Sequence, residues 1–410
     1  MTDTVGQVTD FHVRISKVVR FVCLVILSAI FVVVLLDFSK HIRSYIGTYD
    51  PDHRPYELEL VYHRGVWLSL IFIAIVLAYM QKFPGILTGL VTLFVCEFIS
   101  LQMYPRAVGH PFSSAPPNLN ERFAPHPLLQ LALNPGSYGR ATHTADGHRL
   151  TVNVNKSPNA NLVFVYGAST TYDNGVNDSE TWSSALSNLL GPDFVVENHG
   201  VQGYSTVIHL IQALFDFRNV HPKCAVYYVG GTDLLNSNYT NLKPDYSDYH
   251  LLRQSNFASE HHRLLERRSA FLSILRALSS RERKPPGMVS EEYDERLSQI
   301  YKQNIKLIAI ITKSFGVKPI FVPETWNKQH MTEDYPTVVA YVKERDIPKM
   351  AAHINADLDA AASETNSVVL REVVAAKWEK ADFKDYAHFT PEGSKKLAGL
   401  IAGDVAAECK

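Results

Sequence analysis

The concentration of long apolar runs in the first quarter of the chain constrains it more than any other feature. Residues 21–36 carry no charge, and residues 18–38 reach the length of a membrane-spanning helix if Arg20 extends its head group to the interface. A second run, 66–80, and a third, 86–103, are parted only by Gln81, Lys82, Phe83, Pro84 and Gly85, a turn short enough to join two antiparallel spans. The second run is short by itself and must borrow from residues 61–65. Transmembrane helices are therefore expected at 18–38, 62–80 and 86–104, making residues 1–104 a membrane anchor. The first run also has the length of a signal-peptide core, but Asp37, Lys40, His41 and Arg43 follow it instead of a small-residue cleavage site.

Charge alone does not orient this anchor. Arg14, Lys17 and Arg20 flank the first run on one side, and Lys40, Arg43, Arg54 and Arg64 lie beyond it on the other. With three spans Lys82 shares the side of the amino terminus, while the 39–64 loop holds as many acids as bases. Both lean the amino terminus toward the cytoplasm and everything after Tyr104 toward the outside. Glu97, inside the third run, faces a partner or cavity on one reading; on the other it is an acid near the interface of a tilted helix, or one kept protonated.

The 410 residues carry 40 basic and 41 acidic side chains, which gives no electrostatic ground for a nucleic-acid partner. Four cysteines are too few for a disulfide scaffold; Cys23 and Cys96 sit in apolar runs and Cys224 opens another, so packing is expected of them, not bridging or metal binding. Residues 105–160, with Pro105, Pro111, Pro116, Pro117, Pro125, Pro127 and Pro135, read as a linker that settles onto the next domain.

From Asn161 onward short apolar runs alternate with helical periodicity. Strands are predicted at 162–166, 194–197, 224–229, 318–322 and 367–371, and helices at 205–217, 291–314 and 391–407. This pattern predicts an α/β domain over 161–410, a doubly wound, flavodoxin-like parallel sheet of about five strands. In such sheets a site lies beyond the carboxyl ends of the strands, where each Gly-rich turn of this sequence falls.

Two of these turns carry nucleophile chemistry. Ser169, in Gly167-Ala168-Ser169, directly follows a strand on a tight turn, where its hydroxyl is exposed and its N–H can face a bound carbonyl oxygen. By itself that motif more often marks an ordinary helix cap. Asp385 stands three residues before His388 in a loop running into the last helix. There it can accept from one imidazole nitrogen and leave the other to take a serine proton. A lone Asp-x-x-His is equally weak.

In combination and in this order, the blocks resemble the SGNH or GDSL-type serine hydrolases over residues 161–407. The resemblance implies Ser169 as nucleophile, His388 as general base and then acid, and Asp385 as its orienting partner. It also implies an oxyanion hole from the N–H of Ser169, the N–H of Gly203 and the residue at Thr232. Two positions depart from the family pattern: Ala168 replaces the aspartate of the GDSL name, and Thr232 replaces the oxyanion-hole asparagine. Tyr172, Tyr204, Trp326 and Asn327 follow strand ends and are candidates to line a substrate groove, with packing of loop over sheet as the equal alternative. His261 and His262 lack metal-pair spacing, no Gly-x-x-x-x-Gly-Lys loop occurs, and no Cys and His cluster has zinc spacing, so neither metal nor cofactor is expected.

The resulting expectation is an integral inner-membrane serine esterase with an extracytoplasmic hydrolase domain, removing an acyl group from an envelope glycan or lipid-linked sugar. Two alternatives remain: an O-acyltransferase using the same triad, and a non-catalytic subunit that meets an envelope-polysaccharide assembly partner through its hairpin.

Overall fold

A computed structural model of the chain describes residues 21–22, 24–40, 42–43, 54–79, 84–108, 122–247, 269–279, 286–331 and 341–410. Arg14, Lys17, Arg20, Lys82, His261 and His262 lie outside the described residues. The chain falls into two compact units, one of residues 1–119 and 261–282, the other of 120–260 and 283–410.

In the first unit residues 24–40 are helical, followed by α1 (Arg54–Tyr79) and α2 (Pro84–Val108). Leu27, Ile71, Ala74 and Phe94 form its small core, while Val32, Val33, Leu36, Phe72, Ile73 and Ile99 are exposed. Among the described residues no helix is long and apolar enough to cross a membrane, and the expected spans run in part over residues outside them. A later helix, Ala270–Ser279, also belongs to this unit. Glu97 is 4% exposed and caps that helix: its carboxylate accepts from Ser269 Oγ (2.6 Å), Ala270 N (2.7 Å) and Phe271 N (3.2 Å). A buried acid at mid-helix is thereby matched to the unpaired amides and positive end of another helix.

The second unit begins with two short hairpins where a linker was expected: β1 (Phe123–His126) with β2 (Gln130–Leu133), and β3 (Gly136–Tyr138) with β4 (Ala141–His143). Strands of three or four residues are too short for alternation to show in sequence. The main sheet has five parallel strands, β5 (Asn161–Gly167), β6 (Phe194–Asn198), β7 (Cys224–Val229), β8 (Lys318–Pro323) and β9 (Val368–Val369), in the order β6-β5-β7-β8-β9. This is the flavodoxin-type order. β9 is shorter than its predicted 367–371, because Leu370 only donates its N–H to Phe321 before the chain turns into the helical residues Glu372–Ala375.

Alternate residues of the central strands feed two cores, as the period of two requires. Phe164, Tyr166, Ala225, Tyr227 and Phe321 pack with α4 (Thr206–Asp216), α5 (Glu295–Ser314) and α6 (Ile347–Glu364). Val163, Val165, Val226, Tyr228, Ile320 and Val322 pack with α3 (Trp182–Leu190) and α7 (Pro391–Glu408). Both faces are covered, which is why the strands read as continuous apolar runs.

Cys96 is a free thiol and Cys23 lies outside the described residues, but Cys224 departs from expectation. Cys224, at the start of β7, is bonded to Cys409, just past α7, across a sequence separation of 185. An apolar setting suits a buried cystine as well as a buried thiol, so composition alone could not distinguish them.

Candidate active site

Ser169 opens a single helical turn, Ser169–Tyr172, immediately after β5. Gly167 is dictated by close approach: a Cβ there would run into the Thr171 side chain and the Tyr228 carbonyl oxygen. His388 comes from the loop before α7, which is closed by the antiparallel bridge between Phe383 and Phe389 and by the Lys384 N–H donating to the His388 carbonyl (2.8 Å). Thr390 then caps α7, its hydroxyl oxygen accepting from Gly393 N (3.2 Å), with Pro391 at the first turn. Asp173 ties the two elements together. Its carboxylate accepts from Trp182 N (2.7 Å) and from Ser394 Oγ (2.7 Å) on α7, and burial pushes its pKa up to about 6 against those hydrogen bonds.

The three sequence-predicted catalytic residues meet. Ser169 Oγ lies 2.8 Å from His388 Nε2, and His388 Nδ1 lies 2.8 Å from Asp385 Oδ2. The other Asp385 oxygen accepts from the backbone amides of Ala387 (2.9 Å) and His388 (2.9 Å). Burial would raise the Asp385 pKa, but the hydrogen bonds and charge of His388, with these amides, pull it down to about 2. An ionised carboxylate only accepts, so the imidazole proton resides on Nδ1 and bare Nε2 accepts from the serine hydroxyl. The arrangement can therefore deprotonate Ser169 as it attacks an electrophilic carbonyl, hold the imidazolium against Asp385, and return the proton to a leaving group.

Around this relay the expected oxyanion loops are buried and clamped together. Gly203 has a positive φ of 75°, and Thr232 lies in the turn Gly231–Leu234 directly after β7. Asp233 accepts from Thr206 Oγ1 (2.5 Å) and Thr206 N (3.2 Å), joining the two loops, and burial drives its carboxyl up to about 7 against these hydrogen bonds.

Sequence reasoning missed Glu324, one residue beyond β8. It is 4% exposed, accepts from Thr170 Oγ1 (3.0 Å) and from the Gly231 N–H, and burial raises its pKa to about 7 against those bonds and the charge of His388. A Cβ on Gly231 would collide with this carboxyl and with Trp326. The available signal was position alone, an acid at the carboxyl end of a parallel strand.

The weaker substrate candidates divide. Tyr172 is fully buried, its hydroxyl 2.9 Å from His143 Nε2 and the Arg149 guanidinium 4.6 Å above its ring, and Tyr204 is buried with its hydroxyl donating to the Leu131 carbonyl. Asn327 is buried as a turn cap, its side chain accepting from Gln329 N (3.1 Å). All three are thus held in packing contacts, Tyr172 and Tyr204 in a small core with Phe123, Leu131 and Leu133. Trp326 stacks on Tyr386 at 5.9 Å, and the half-exposed Tyr386 ring lies 6.5 Å from that of His388.

No family model and no curated protein matches the sequence. Solved structures similar to it include TesA, at 14% identity over 60% of this chain and 99% of that one, with a TM-score of 0.38. AlinE4, an SGNH-hydrolase family esterase, has 16% identity over 62% of this chain and 100% of that one, with a TM-score of 0.32. A catalytic mutant of Axe2, an acetylxylan esterase from Geobacillus stearothermophilus, has 12% identity over 62% and 96%, with a TM-score of 0.35. At such identities and scores the chemistry of the site has to be read from its own residues.

Proposed function

We propose that this chain is a serine ester hydrolase of the SGNH type, tethered to a membrane by its first unit, that removes an acyl group, acetyl foremost, from an envelope glycan or lipid-linked sugar. The observation that carries the hydrolase reading is the continuous Ser169–His388–Asp385 relay beyond the carboxyl ends of a parallel sheet.

The finer parts rest on separate supports. For the tether these are the long apolar runs of the sequence and the exposed Val32, Val33, Leu36, Phe72, Ile73 and Ile99, apolar surface that water does not favour. For an extracytoplasmic hydrolase unit the support is the Cys224–Cys409 disulfide, which suits an oxidising compartment. For a sugar-bearing substrate it is the Trp326–Tyr386 stack beside His388, a flat aromatic face of the kind that sugar rings pack against.

The test is labelling of the full-length chain with a fluorophosphonate, followed by turnover of acetylated glycans. Labelling is expected in the wild type and absent in Ser169→Ala. A wild type that neither labels nor cleaves any acyl ester would favour the non-catalytic subunit, and acyl transfer to a sugar hydroxyl in place of water would favour the transferase.

A further inference from the structure

A second cluster of chemically capable side chains lies in the α/β unit, apart from the serine relay. Glu197 ends the apolar part of β6, and His199 follows the strand. Two residues apart on extended chain, they project to the same side. β6 is the last strand of the sheet on its side, and its outer edge is covered by the antiparallel bridge of Arg149 to Asn198, which carries His148 into place. The His148 ring lies over the His199 ring with centroids 3.7 Å apart. A ligand atom from each of His148, Glu197 and His199 falls within 4.8 Å of the other two.

We propose that His148, Glu197 and His199 hold a divalent transition-metal ion, zinc by preference, which pins the 143–149 loop to the edge of the sheet. Three features carry this. First, His199 Nε2 stands 3.4 Å from Glu197 Oε2, long for a hydrogen bond. It matches the edge of a tetrahedron whose corners lie about 2.0–2.1 Å from a central zinc, an edge of about 3.3–3.4 Å.

Second, the opposite ring nitrogen, His199 Nδ1, is 2.8 Å from Asp216 Oδ2, on α4. A carboxylate holding the far nitrogen of a ligating histidine fixes the ring and raises its basicity, the usual outer shell of a metal-bound imidazole. His199 is 1% exposed, so this orientation is fixed by packing as well. Third, the charges balance once the ion takes the place of a proton on His199: Glu197 and Asp216 supply two carboxylates for a dication, and the two imidazoles, neutral when they ligate, complete a set that suits zinc better than calcium or magnesium. The cleft beside the cluster, about 230 Å³ and lined by Asp146, His148 and Glu197 among others, leaves room for water as fourth ligand. The 48 residues between His148 and Glu197 explain why no zinc-type spacing is visible in the sequence.

The untagged full-length chain, stripped with a chelator and dialysed, is titrated with zinc against a chromophoric competitor and, separately, with cobalt for its visible d–d bands. One zinc per chain is expected at the cluster. The double variant His148→Ala, Glu197→Gln is expected to lose it by at least tenfold in affinity, together with the cobalt bands, and Asp216→Asn to weaken it about 10- to 100-fold with the ligands intact. Should the metal-free double variant melt below the wild type, Glu197→Gln alone, at the most solvent-accessible of the three ligands, decides by the same titration. The proposal is overturned if the wild type takes up no zinc, or takes up no more than these variants do.

Discussion

Replacing Asp385 by Asn tests the relay at its least obvious point, because it changes one atom and almost no volume. One Asp385 oxygen accepts from the Ala387 and His388 amides, each at 2.9 Å, and the other from His388 Nδ1 at 2.8 Å. In Asp385→Asn only the carbonyl oxygen can serve the two amides, so the NH2 group must face Nδ1. Two donors cannot face each other, so the imidazole proton shifts to Nε2, against Ser169, and the base is lost. Restoring the productive tautomer would require turning the carboxamide over and forfeiting both backbone hydrogen bonds. At roughly 1–3 kcal/mol each that costs about 2–6 kcal/mol, or about 30- to 25,000-fold in rate. The lost charge opposite the imidazolium adds to this, and comparable substitutions in other triads cost about 10,000-fold. With its pKa held down to about 2, the wild-type carboxylate is ionised throughout any practical assay range, so the deficit should not be relieved between pH 6 and 9.

The assay is the second-order rate of fluorophosphonate labelling of Ser169 beside turnover of p-nitrophenyl acetate, with melting curves to confirm that the fold survives. A loss of about 1,000- to 10,000-fold in both is expected. An Asp385→Asn chain that melts like the wild type and reacts within tenfold of it would refute the tautomer argument.

The remaining predictions concern the oxyanion side, a buried acid and the disulfide. Thr232→Val, which keeps the shape and removes the hydroxyl, should lower ester turnover at least tenfold with little change in KM if that hydroxyl donates to the oxyanion; an unchanged rate would leave only backbone donors in the hole. Asp233 has its pKa raised from 3.8 to about 7, so its contribution to stability is full below pH ~4 and is lost as pH rises through about 7. In urea unfolding followed at buried Trp182, the wild type should therefore lose about 2–3 kcal/mol more between pH 5 and 8 than Asp233→Asn does, and equal losses would contradict the assignment. Replacing both Cys224 and Cys409 by Ala opens a closure of 185 residues and should cost about 2–5 kcal/mol in the same unfolding experiment; fluorophosphonate labelling at 20 °C should stay within about twofold, because the bond meets α7 at the end opposite the His388 loop.

The serine relay could be read from the sequence because each of its parts lies at a strand end and is marked locally: Ser169 by a glycine that the fold cannot replace, Asp385 and His388 by spacing and by the Thr390-Pro391 start of the last helix. The parallel sheet was legible for a similar reason, since strands covered on both faces have nothing but apolar residues to show. Features that depend on pairing across the chain left no such mark. Cys224 and Cys409 each sit among apolar neighbours, and nothing local distinguishes a half-cystine there. Glu324 looks like any acid after a strand until Thr170 and Gly231 are brought against it. Tyr172 and Tyr204 illustrate the converse. An aromatic after a strand end is as often a packing element as a binding one, and here His143, Arg149 and Leu131, from the segment expected as a linker, occupy their polar and π faces.

Glu97 and the helix it caps show why the same limit applies to domain boundaries. Local capping rules look within about four residues of a helix start, whereas this cap comes from a residue 173 positions before Ala270. The chain leaves the α/β unit after β7 to supply that helix to the first unit, and it departs and returns through a closed neck. Tyr239 bridges Gly287, Thr240 N donates to the Pro286 carbonyl (2.7 Å), and Asn238 N donates to Asp294 (2.9 Å). Arg296, paired with Asp294 at 2.9 Å, also donates to the carbonyls of Tyr239 (2.7 Å) and Thr240 (2.8 Å). Once its ends are fixed side by side, the length of an excursion costs little, since closure entropy grows only with its logarithm. The sheet therefore continues from β7 to β8 as though nothing intervened. A sequence reading that locates domains by uninterrupted stretches keeps such an insertion with the strands that flank it.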